Sequence, residues 1–260
     1  MHDYSRLAPH ILVQERGAVR VLTLNAPERH NAVDDALHHA LLDAWLLLGS
    51  DKDVGAAVLT GGGSSFSAGG DMDHIRNLHD DPVLRRRTIR TAEQLIRAAV
   101  SCEVPVIAAV NGPAVGLGAT LALLCDLVVI SDTAYIADPH VSIGVVAGDG
   151  GAAVWPSYMS MLQAKEHLLL GSSVSAQECL RLGIANRVAP ADEVLTVALE
   201  LGIRLSKQPQ QALRDTKRAL NLHLRQAVDR TLDFALAAES ESLAGDEVLA
   251  VVNRFAERSH

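Results

Sequence analysis

Val104-Pro105-Val106-Ile107-Ala108-Ala109-Val110 runs directly into Asn111-Gly112-Pro113-Ala114-Val115-Gly116-Leu117-Gly118-Ala119-Thr120. A short apolar run closed by turn residues reads as a buried strand. Ala119–Cys125 then reads as a short buried helix. A strand that enters a Gly-x-Gly turn and opens a helix gathers free backbone N–H groups and the positive end of the helix dipole. Such a start can hold an anion, or the charge that develops on a thioester carbonyl. By itself Gly116-Leu117-Gly118 is also what close packing of a buried helix requires.

The same alternation extends outward on both sides. His10–Arg16 and Ala18–Asn25 read as strands turning at Gly17, and Ala32–Leu48 as an amphipathic helix with Val33, Leu37, Leu41, Trp45 and Leu48 on one face. Gly55–Thr60 is a buried strand, Pro82–Ser101 a long helix and Asp126–Ser131 a further strand. Repeated strand–helix alternation predicts an α/β core with both sheet faces covered. After about Pro190 the strand signals stop. Asp192–Ser206, Pro209–His223, Gln226–Ser242 and Asp246–Arg258 are helical by period, so residues 1–190 are expected to form the α/β core and 191–260 a helical region.

Composition narrows the function. The 260 residues carry a net charge of −8, which argues against a nucleic-acid surface. Cys102, Cys125 and Cys179 are too scattered for a zinc site and read as buried thiols. The first ten residues contain no apolar stretch that would signal secretion, and no run approaches the roughly 18 apolar residues of a membrane span. A soluble, cytoplasmic protein is expected.

A second chemical segment is Ser64-Ser65-Phe66-Ser67-Ala68-Gly69-Gly70-Asp71, where small residues and glycines allow a backbone to approach a ligand and Asp71 can act as an N-cap for the segment that follows. Together the two segments resemble the crotonase (enoyl-CoA hydratase/isomerase) superfamily. Its members carry a Phe-x-Ala-Gly-x-Asp loop and an Asn-Gly-x-x-x-Gly-x-Gly segment in this order. The resemblance includes Asn25-Ala26-Pro27-Glu28 with Asn31-Ala32, the Cys125-Asp126 pair, the Leu182-Gly183 turn and the helical tail.

The resemblance implies a spiral of ββα units, with a helical C-terminal region that mediates trimers or hexamers. It implies an acyl-CoA substrate, with coenzyme A part of that substrate and neither a separate cofactor nor a metal. It assigns the backbone N–H groups of Ala68 and Leu117 to an oxyanion hole. The substrate would contact Phe66, Gly69, Gly116, Gly118 and Thr120, with Arg29 near a CoA phosphate.

The two glutamates of typical hydratases would fall at Thr120 and His140. In their place stands His140, followed by Asp149 within a glycine-rich loop. A histidine can move protons near neutral pH when a carboxylate on its second nitrogen fixes its orientation; Asp149 could equally cap the helix beginning at Gly150. The pair, with Trp155-Pro156, resembles the 6-oxocamphor hydrolase branch, whose further polar residues map to His38 and Glu239. That branch cleaves cyclic β-diketones without CoA, but lacks the Gly-x-Gly turn present here. The expectation is therefore an acyl-CoA lyase, hydratase or isomerase using His140 and Asp149. A CoA-independent β-diketone hydrolase and a catalytically degraded CoA-binding scaffold stand as alternatives.

Overall fold

The computed structural model describes residues 3–258. Six strands form the main sheet: β1 (Ile11–Arg16), β2 (Val19–Leu24), β3 (Ala56–Gly61), β4 (Val106–Val110), β6 (Leu127–Ser131) and β9 (Arg187–Ala189), adjacent in that order. β1 and β2 pair as an antiparallel hairpin, and every later pairing is parallel. Parallel neighbours need crossovers, which α1 (Asp35–Ser50), α2 (Met72–Asp80), α3 (Pro82–Ser101) and α4 (Leu117–Leu123) supply. β3 and β4 are buried at every position, as expected for strands covered on both faces. A smaller sheet joins β5 (Ala114–Val115), β7 (Tyr135–Ala137) and β8 (Val174–Ser175). This is the ββα spiral anticipated from the sequence.

Short helices α5 (Gly151–Val154), α6 (Met161–Leu170) and α7 (Ala176–Leu182) complete the core. Beyond β9 the chain is helical: α8 (Val194–Ser206), α9 (Gln210–Ser242) and α10 (Asp246–Arg258). The pair of helices expected over 209–242 is one helix. No Gly or Pro interrupts it, and its buried stripe continues through Leu224, Val228, Leu232, Ala235, Leu236 and Glu239 at helical spacing. α9 packs along α3, where Arg97 reaches Asp229 at 2.7 Å and Asp233 at 2.8 Å. Lys217, buried on α9, donates to Asp126 Oδ2 at 2.7 Å and the Val104 carbonyl at 2.8 Å. All three cysteines are buried and free.

Two contacts bring the chemical segments together. The Val115 amide donates to the Ser67 carbonyl at 2.9 Å, and the Phe66 and Ser67 amides donate to the Pro113 carbonyl. Asn31, wholly buried, fastens the same loop: its Nδ2 donates to the Gly62 and Ser65 carbonyls, and its Oδ1 accepts from the Ala26 amide. Loop 64–71 and turn 111–118 are thus held side by side beyond the C-terminal ends of the inner strands β3 and β4.

Candidate active site

Gly69 and Gly116 have φ of +82° and +53°, a region open to glycine at little cost. The approach is close as well. A Cβ on Gly69 would lie 2.6 Å from the Val115 carbonyl, and one on Gly116 would lie 3.2 Å from His140 Cε1. The loop, the turn and the histidine therefore border a single cavity of about 790 Å³. Arg29, His38, Ala68, Gly69, Gly70, Gly116, Leu117, His140, Asp149 and Glu239 line it.

Three residues expected at the substrate stand behind the wall. Phe66 is fully buried in the hydrophobic core. Gly118 is glycine because a Cβ there would lie 2.5 Å from the Ser67 carbonyl, which is a packing requirement. Thr120 is buried beneath Gly150, whose own Cβ would meet its methyl at 2.6 Å. None of the three is among the lining residues.

The expected pair of oxyanion donors requires a correction. The Ala68 amide donates to the His30 carbonyl at 2.9 Å, so it has no hydrogen left for a substrate. Two residues on, Gly70 also lines the cavity, and its amide meets no acceptor among the described residues. The Leu117 amide, at the first position of α4, is likewise without an acceptor there, because a helix leaves its first N–H groups unpaired. Gly70 and Leu117 are the available donors, each on one side of the Val115–Gly69 contact.

His140 lies beyond β7, its side chain 12% exposed. Its Nδ1 is 2.5 Å from Asp138 Oδ1, and its Nε2 is 3.5 Å from Asp149 Oδ2. The ring is therefore oriented by Asp138, a fully buried residue whose role sequence reasoning missed, while Asp149 faces the reactive nitrogen. The available signal was the Asp-Pro-His run, in which Asp138 also accepts from the His140 amide at 3.3 Å. Asp149 is no helix cap: α5 begins after Gly150 with no side-chain bond. Burial disfavours a charged imidazole, but Asp149 and Asp138 outweigh it and hold the His140 pKa well above its ordinary value.

Glu239 arrives from α9, about a hundred positions later in the chain. Its carboxyl oxygen, Asp149 and His140 present ligand-capable atoms within 4.8 Å of one another, a set that could hold a divalent cation. Burial, together with Asp149, pushes Glu239 well above the usual carboxylic range and so favours its neutral form. His38, buried on α1, is pushed down to about 4, chiefly by burial, and is neutral. The adjacent His39 points outward, its side chain 48% exposed. Arg29 is tied to Asp34 at 2.9 Å and Asp71 at 3.0 Å, with Asp71 also capping α2. The cavity thus joins free backbone donors to a histidine held toward its charged form, a facing aspartate and a buried glutamate held toward its neutral form, the components of proton transfer beside a polarised carbonyl.

Known proteins resemble the chain over most of its length. The family model described as enoyl-CoA hydratase/isomerase matches residues 14–260. The chain is 32% identical to the 2,3-dehydroadipyl-CoA hydratase of Escherichia coli over 231 residues, 89% of this chain and 88% of that one. Its structure is similar to that of an enoyl-CoA hydratase/isomerase from Mycobacterium paratuberculosis, with a TM-score of 0.92 and 45% identity, covering 94% of this chain and 98% of the other. A β-diketone hydrolase from the cyanobacterium Anabaena superposes with a TM-score of 0.84, covering 94% and 98%; at 23% identity the likeness is one of fold.

Proposed function

The chain belongs to the enoyl-CoA hydratase/isomerase family of acyl-CoA-processing enzymes, and from that premise we propose a lyase-type reaction in which a thioester enolate is stabilised by the backbone amides of Gly70 and Leu117. The observation that carries the reading is the single cavity shared by these two free donors and the His140–Asp149–Glu239 cluster. The thioester oxygen accepts from both amides as negative charge moves onto it. Losing one such donor generally costs about 3–4 kcal/mol of barrier. Thr120 and His140 occupy the positions of the usual glutamates, so proton transfer falls to other groups. As the enolate forms, Asp149 accepts the proton that leaves the α-carbon; His140, held by Asp138, gives a proton to the product and takes that one from Asp149 in its place, with Glu239 completing the cluster. Arg29 would have to give up Asp34 or Asp71 to reach a CoA phosphate, and the assembly proposed is a trimer or hexamer.

The test is calorimetric titration with acetoacetyl-CoA, followed by an enoyl-CoA screen of wild type and His140→Ala. Micromolar binding, weaker for free CoA, and a loss of roughly 10²–10⁴ in turnover support the reading. Near-normal turnover by His140→Ala removes His140 from the mechanism.

A second reading, CoA-independent cleavage of a carbon–carbon bond in a cyclic β-diketone, is favoured by the meeting of His38 and Glu239 with His140 and Asp149 in the same cavity. There water activated at the His140–Asp149 pair attacks a ketone carbonyl. Turnover of a cyclic 1,3-diketone in CoA-free buffer promotes this reading, and no turnover across a broad panel counts against it.

A further inference from the structure

Two carboxylate oxygens of the His140–Asp149–Glu239 cluster, Asp149 Oδ1 and Glu239 Oε2, meet no hydrogen-bond partner among the described residues. Both residues are only 8% exposed. Buried carboxylates are ordinarily paired or bound to a metal. His140 Nε2 lies 3.5 Å from Asp149 Oδ2, beyond the range of a good hydrogen bond. That separation suits two ligands of one ion, since donors placed about 2.1 Å from a tetrahedral metal stand about 3.4 Å apart. A Glu239 oxygen completes a triangle whose corners all lie within 4.8 Å of one another.

A fourth residue, outside the triangle, prepares it. Asp138 is fully buried, and its Oδ1 lies 2.5 Å from His140 Nδ1. A carboxylate there can only accept, so Nδ1 carries the hydrogen and the lone pair of the neutral ring falls on Nε2, the atom that faces Asp149. A carboxylate behind the ring is the usual support of a metal-bound histidine.

We propose that the cluster is a binding site for one divalent cation of the zinc class, held by His140 Nε2, Asp149 and Glu239, with its remaining position open to the cavity. The donor set selects the ion. Imidazole suits zinc and its neighbours, whereas calcium takes about six to eight oxygens and magnesium demands octahedral oxygen geometry. The charge of the ion would offset those of the two carboxylates, and the neutral ring would supply the third donor. The same nitrogen serves proton transfer in the thioester reading, so an ion bound there would stop that route; this consequence rests on that reading, and the binding does not.

The experiment adds cobalt(II) chloride, a coloured stand-in for zinc, to the full chain after treatment with EDTA and its removal, and follows the visible absorption. Zinc chloride then displaces the cobalt in a calorimetric titration. One equivalent per chain is expected, with a band that zinc removes. His140→Ala and Glu239→Gln should each lose the band, and Asp138→Asn should weaken zinc binding about 10–100-fold. His39→Ala, which removes an exposed histidine beside Asp35, should bind as the wild type does. No saturable binding by the wild type overturns the inference, and this titration needs no variant to fold. Binding that His140→Ala retains, or that His39→Ala loses, overturns it as well by assigning the ion to another place. Enoyl-CoA turnover that depends on His140 in a chain that binds no zinc overturns the inference and leaves the thioester reading standing. One equivalent of bound zinc that leaves such turnover unchanged supports the site and refutes the proton route through His140.

Discussion

His140 is flanked by two carboxylates at unequal range, Asp138 at 2.5 Å on Nδ1 and Asp149 at 3.5 Å on Nε2. Both favour the imidazolium, so neutralising either lowers the pH at which His140 gives up its proton. In Asp138→Asn the limb of the kcat/KM profile governed by His140 is expected to move to lower pH, with little change in KM. An unmoved limb would make Asp138 a purely structural residue. His38 supplies the opposite sign. Its folded-state pKa of about 4 lies below the ordinary 6.5, so the native state excludes a proton that the unfolded chain accepts. Stability linked to His38 is present above pH 6.5 and falls by roughly 3 kcal/mol as pH drops through 4. Thermal midpoints measured across that window should decline less steeply in His38→Leu than in the wild type; parallel curves would refute the linkage. At this scale the sequence showed which residue types stand at the motif positions, but not which amides remain free. That Ala68 is consumed by His30 while Gly70 is not depends on a contact between residues 30 and 68 that no local pattern encodes.

Turn 111–118 and loop 64–71 behave as one element, because each supplies the other's backbone acceptors. Gly118 sits where they touch, and a methyl group there would press against the Ser67 carbonyl at 2.5 Å and the Ser67 Cβ at 2.8 Å. Gly118→Ala is expected to cost about 1–3 kcal/mol, read as a lowered thermal midpoint, and to reduce turnover by displacing Leu117. Unchanged stability would show that the two segments separate freely. Asn31 bounds the other side of the loop. Asn31→Ala strands the Gly62 carbonyl and the Ala26 amide and leaves the Ser65 carbonyl only a long bond from Asn111, and is expected to lower stability by about 2–4 kcal/mol in a urea melt. Elements with strong local signals were legible: α3 spans the Pro82–Ser101 read from its period, and the buried strands differ from expectation by only a residue or two at their ends. The break expected near residue 225 falls on the polar pair Arg225-Gln226, across which the buried stripe runs on from Leu224 to Val228. With nothing in the backbone to stop it, helix α9 simply continues as its neighbours change.

Across the whole molecule, the cavity depends on distant parts of the chain, since Arg29, His140 and Glu239 all line it and Glu239 comes from α9, which packs on α3. The join is polar as well as apolar, through Lys217 to Asp126 and Arg97 to Asp229 and Asp233. Glu239 could not have been found from its own surroundings in sequence, where it is one acid among several on a long helix; only the family pattern pointed to it. The outer surface carries a separate message. In α6 the buried residue is Ala164, while Leu162, Leu169 and Leu170 are 79%, 64% and 70% exposed. On α9, Leu220 and Phe234 are 65% and 78% exposed. Large apolar side chains left bare on helices mark surfaces that another chain covers. The proposed trimer or hexamer would bury them, each burial contributing about 1.5–3 kcal/mol. Light scattering on the eluting protein is therefore expected to give three or six times the chain mass, and Leu169→Glu with Leu170→Glu to shift it toward the monomer, since a charge placed in an apolar interface loses its water without gaining a partner. A wild-type monomer at micromolar concentration would refute the assembly. An intact trimer in the double variant would move the interface away from α6 and leave α9 to supply it.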